Sequence, residues 1–81
     1  MKLPRDVDGR ALARRLVGYG YVISRQTGSH IRLSSTFKGE QHHVTIPAHT
    51  PLKAGTLSAV LKDVARYLDV SLPQLLETLI P

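Results

Sequence analysis

No cysteine occurs among the 81 residues, which excludes a disulfide framework and any thiolate metal site. Tryptophan is also missing, and three tyrosines and one phenylalanine are the only aromatics. A base-stacking platform of the RRM or OB kind is therefore disfavoured. No apolar run approaches the roughly 20 residues that a membrane span requires. The opening Met1-Lys2-Leu3-Pro4-Arg5-Asp6 lacks the apolar stretch of a secretory signal, so a cytoplasmic location is the expectation. Acidic residues are few as well: six Asp and Glu against eleven Lys and Arg leave a net charge of +5. Such a balance points to an anionic partner, most commonly nucleic acid, against the alternative that the charge serves only solubility. The length fits one domain over residues 1–81, and a chain this short needs a well-patterned core.

The pattern that is present runs helix, strands, helix. Asp8–Tyr19 carries Ala11, Leu12, Leu16 and Tyr19 near helical spacing, with Asp6 or Asp8 as N-cap and Gly18 and Gly20 as the stop. Arg10, Arg14 and Arg15 fall outside that stripe and read as a solvated face, with a phosphate-facing role as the alternative. Tyr21–Gln26 is β-prone, and Thr27-Gly28-Ser29 is a tight turn. His30–Ser34 then alternates, with Ile31 and Leu33 on one face and His30, Arg32 and Ser34 on the other. A polar connection leads to the third strand, Gln41–Ile46, which Pro47 stops.

Leu57, Val60, Leu61, Val64, Ala65 and Leu68 form one continuous helical stripe, starting between Thr50 and Thr56. Ser71 and Gln74 have capping-box spacing and announce a short third helix carrying Leu72, Leu75, Leu76 and Leu79. The order predicts an α+β sandwich, α-β-β-β-α with a short extra C-terminal helix. Its three-stranded antiparallel sheet has helices on one face, as in a double-stranded-RNA-binding domain (dsRBD). A fold of this kind hosts many functions, so the activity has to be read from a site.

Three short motifs in order carry a resemblance. Gly28-Ser29-His30 opens a strand, Val44-Thr45-Ile46-Pro47-Ala48-His49 closes another, and Lys53-Ala54-Gly55-Thr56-Leu57 opens a helix. With Leu16-Val17-Gly18-Tyr19-Gly20-Tyr21 at the first helix-to-strand junction, they resemble the HicA family of toxin–antitoxin ribonucleases over Leu3 to Leu68. The region from Asp69 onward is less diagnostic, and the His42-His43 pair is not general in the family. The resemblance implies a dsRBD-like toxin that cleaves mRNA, is inhibited by a HicB-type antitoxin, and uses the histidine of the Gly-Ser-His turn, His30.

The chemistry agrees with that choice. RNA carries its own nucleophile in the 2′-hydroxyl, and cleavage asks the protein for a proton acceptor, a proton donor and positive charge. Histidine is the side chain that titrates near neutrality. His30 shares its strand face with Arg32, while Gly28 and Ser29 form the turn that lets backbone approach a phosphate. Lys53 adds a cation near a helix start. The expected site is thus catalytic His30, with Gly28, Ser29, Arg32 and Lys53 contacting RNA, and with neither metal nor cofactor.

For an isolated strand histidine the ordinary role is structural, and the Gly-Ser-His context is what singles out His30. His42 shares parity with Val44 and Ile46 and is expected at the core edge, whereas His43 faces the open side. His49 reads as structural. Adjacent His42 and His43 point to opposite faces, so a shared zinc ion is improbable. A non-catalytic RNA-binding module on the same scaffold is the alternative. A helix-turn-helix DNA binder ranks behind both, because the β-rich middle leaves no paired helices.

Overall fold

The computed structural model describes residues 3–79. Along the chain run α1 (Gly9–Val17), β1 (Val22–Thr27), β2 (His30–Ser35), β3 (His42–Pro47), α2 (Ala54–Leu68) and α3 (Leu72–Leu79). The strands form one antiparallel sheet in the order β1-β2-β3. This is the α+β arrangement that the sequence pattern predicts, consistent with a dsRBD-like fold. No helix among the described residues is long and apolar enough to cross a membrane.

Parity decides which side of the sheet is covered. Ile31, Leu33, Val44 and Ile46 are buried and join one core with Leu12, Leu16, Leu57, Val60, Leu61 and Val64. Their strand neighbours His30, Arg32, His43 and Thr45 are exposed, so the other face is open. The β2–β3 ladder pairs residue for residue, from His30↔Pro47 to Ser35↔His42. The β1–β2 ladder breaks register between Ile23 and Arg25, leaving Ser24 as the extra residue of a bulge.

The helix ends refine the expectations. Asp8 is the N-cap of α1, its carboxylate accepting from the Arg10 amide at 3.2 Å. The buried face of α1 is Gly9, Leu12, Ala13 and Leu16, so Ala13 rather than Ala11 is the inward alanine. Gly18 keeps a right-handed φ of −67° and the chain tightens through i→i+3 bonds; only Gly20, at +94°, uses glycine's freedom to turn away. Helix α2 ends instead on Asp69 in the left-handed region, with Val70 N–H reaching the Ala65 carbonyl in a Schellman arrangement. Ser71 Oγ accepts from the Gln74 amide at 3.2 Å and starts α3, whose Leu75 and Leu79 are fully buried. Arg15 Nη1 donates to the Leu79 carbonyl at 2.9 Å and pins the last turn of α3 to α1. One of the arginines assigned to the solvated face therefore also has a structural task.

Candidate functional site

The β1–β2 turn is two residues long. Thr27 pairs with His30, and Gly28 takes the first central position at φ +53°, where a primed hairpin turn needs a glycine. A Cβ on Gly28 would meet nothing within 4 Å, so the space above the turn is open. The Ser29 carbonyl accepts from the Ala48 amide at 2.6 Å, tying the turn to the exit of β3. His30 is thereby set at the corner of the open face, flanked by Thr27 and Pro47. Its side chain is exposed and has no intramolecular hydrogen bond among the described residues.

Two residues further along the same face stands Arg32, exposed and directly opposite Arg25 on β1 and Thr45 on β3. The fold thus brings Gly28, Ser29, His30 and Arg32 onto one hairpin. Lys53 lies on another element, as the residue before α2; it is exposed, makes no side-chain cap, and shares no hydrogen bond with that hairpin among the described residues.

The remaining histidines separate by parity. His42 is buried and held on three sides. Its ring stacks on Tyr67 at 4.5 Å, its Nδ1 lies 2.8 Å from the Tyr21 hydroxyl, and its Nε2 lies 3.1 Å from Asp63 Oδ2. Burial first, then the neighbouring Tyr67 and Asp63, pushes the Tyr21 phenol well above its ordinary pKa. Tyr21 therefore keeps its proton and donates it to Nδ1, leaving the Nε2 hydrogen toward Asp63. That last contact is close but poorly aligned, so Nε2 lacks a proper hydrogen bond. Burial of Asp63 works against ionisation, but the hydrogen bond from Arg66 and the His42 ring beside it outweigh that and hold its carboxyl below the usual value. This is a packed structural network, as the core-edge expectation for His42 requires.

His43 lies on the open face. Its Nδ1 is 2.6 Å from Ser34 Oγ, which is 2.8 Å from Ser24 Oγ, and Ser24 also donates to the Arg32 carbonyl at 3.3 Å. Arg25, Arg32, Ser24, Ser34, Gln41 and His43 line one open depression of about 320 Å³. His30 does not line it. Parity alone gave His43 its face; the hydroxyl chain needed the β2–β3 register and the bulge at Ser24, which the sequence does not display. His49 is exposed, and its carbonyl accepts from the Gly9 amide at 3.0 Å. No group of three His, Asp or Glu among the described residues is placed to hold a metal ion.

A family model described as "HicA toxin of bacterial toxin-antitoxin" matches residues 9–65. Comparison with curated proteins and with solved structures found no match.

Proposed function

The chain belongs to the HicA family of bacterial toxin–antitoxin toxins, and from that premise we propose that it is a metal-independent endoribonuclease that cleaves mRNA with His30 as its catalytic group. The match across residues 9–65 carries this reading, because it takes in Gly28, Ser29, His30, Arg32 and Lys53. The 2′-hydroxyl attacks the adjacent phosphorus, the bond to the 5′-oxygen breaks, and the 2′ proton leaves as the 5′-oxygen gains one. His30 serves one of these proton transfers and solvent the other. Arg32 offsets the charge that builds on the non-bridging oxygens. The Gly28-Ser29 turn offers open backbone beside the phosphate, and Lys53 adds attraction from the start of α2. The protein works as a single unit over residues 1–81, in the cytoplasm where mRNA is found. A HicB-type antitoxin holds it inactive by covering the basic face around His30.

A specific observation favours a second reading, a non-catalytic RNA-binding module: nothing within the described chain orients the His30 ring, whereas catalytic bases are ordinarily held by a third group. Incubating RNA with the pure protein in excess EDTA decides between them. The expected result is cleavage by the wild type and a loss of about 10²–10⁴-fold in His30→Ala, with RNA still bound. Binding without cleavage by the wild type selects the module; equal cleavage by His30→Ala removes His30 from the mechanism.

A further inference from the structure

The depression beside His43 has features that the packing of the domain does not call for. Arg25 and Arg32 are direct cross-strand partners, and like charges in that position repel. The ion pairs among the described residues join Asp63 to His42 and to Arg66, and neither Arg25 nor Arg32 takes part in one. None of the three strands contains an Asp or Glu. Two uncompensated guanidinium groups therefore stand side by side over Ser24, Ser34 and His43.

The hydrogen bonds among these groups have a direction. A carbonyl only accepts, so the Arg32 carbonyl takes the Ser24 proton. Ser24 Oγ must then accept from Ser34, and Ser34 Oγ from His43 Nδ1–H, for all three contacts to be made. The chain consequently fixes the proton of His43 on Nδ1 and leaves Nε2 for a ligand outside the protein. In the imidazolium form both ring nitrogens donate, and Nε2 can then give an anion a charge-assisted hydrogen bond alongside the two arginines.

From this arrangement we infer that Arg25, Arg32 and His43, with Ser34 and Ser24 as positioning residues, form a phosphate subsite for the backbone of single-stranded RNA. The inference rests on the RNA-directed reading above and extends it. Ser34, the partner of His43, stands four residues from His30 on β2, about 13 Å along an extended strand. His30 lies outside the depression that Arg25, Arg32 and His43 line, so the subsite is placed to grip a different phosphate from the one that is cleaved. Arg32, two residues from each of His30 and Ser34 on β2, is shared between the cleaved phosphate and the one that Arg25 and His43 grip.

The test uses a fluorescent 2′-O-methyl RNA dodecamer, which lacks the nucleophile, for binding, and the unmodified RNA for kinetics. Arg25 sits on the edge strand, two residues beyond Ile23, and its replacement leaves the core untouched. Arg25→Ala should weaken binding by about tenfold or more and lower the salt slope by about 0.7, the loss falling in KM rather than kcat. His43→Gln and Ser34→Ala should move affinity in the same direction by less. An unchanged dissociation constant in Arg25→Ala overturns the subsite, as does a His43→Gln loss confined to kcat. If the wild type binds the dodecamer but does not cleave RNA, the ribonuclease reading fails while the binding measurements still decide the subsite. If it does not bind at all, both fall.

Discussion

His42 and His43 are neighbours in sequence, and alternation along β3 sends them into different surroundings. His42 is enclosed by Tyr21, Tyr67 and Asp63, where its two nitrogens face one donor and one carboxylate. Removing the carboxylate should leave its Nε2 hydrogen facing nothing. Because the Asp63 carboxyl is held below its ordinary pKa in the fold, the native state binds fewer protons than the unfolded chain in acid. That contribution is complete above the unfolded carboxylate value of about 3.9 and is lost as pH falls through the lower folded value. Denaturation measured from neutral pH downward should therefore show the wild type more stable than Asp63→Asn at neutrality, with the two curves converging in acid. A constant gap across that range would mean that Asp63 acts through packing alone. Asp63 is more than a third exposed on its side chain, so the effect should be modest.

At the scale of elements, the join between α1 and the end of β3 sets the corner where His30 sits. Gly9 opens α1 against the exit of β3: its amide donates to the His49 carbonyl, and a Cβ there would collide with the Pro47 carbonyl oxygen. Pro47 is also the ladder partner of His30. Gly9→Ala should thus act twice, forcing α1 off the sheet and disturbing the corner. Overpacking of this kind costs about 1–3 kcal/mol, and in a domain this size each kcal/mol lowers Tm by roughly 4–8 °C. Thermal unfolding checks it; an unchanged Tm would show that the helix can pivot freely. In the sequence Gly9 looks like an ordinary glycine in a first helical turn, because the carbonyl that excludes a side chain comes from 38 residues downstream. The α2 stop was equally hidden: Asp69 fills a left-handed position where a glycine would have announced it.

Across the whole molecule, the charge is unevenly placed. The strands carry Arg25, Arg32 and three histidines and no carboxylate, while the six acidic residues lie in the helices, turns and N-terminal segment. A face of this kind attracts polyanions by releasing their counterions. RNA affinity should fall linearly on a log–log plot against salt, and Arg32→Ala or Lys53→Ala should each flatten the slope by about 0.7. A titration without salt dependence would reduce the basic residues to solvated surface. The same field favours an acidic antitoxin over this face, since complementary charge steers association.

Alternation and helical periodicity along the chain determined the element order, the inward and outward faces of β2 and β3, and the opposite fates of His42 and His43. These are local properties: a strand has period two and a helix 3.6, whatever surrounds them. The Gly-Ser-His turn was legible for the same reason, being a contiguous motif. Tertiary structure alone decided what meets across the sheet. The β2–β3 register put His43 beside Ser34, the bulge brought Ser24 to Ser34 and the Arg32 carbonyl, and hairpin pairing set Arg25 against Arg32. Each of those contacts joins residues seven or more apart in the chain, and a one-residue slip in either ladder would have sent the same side chains to the other face.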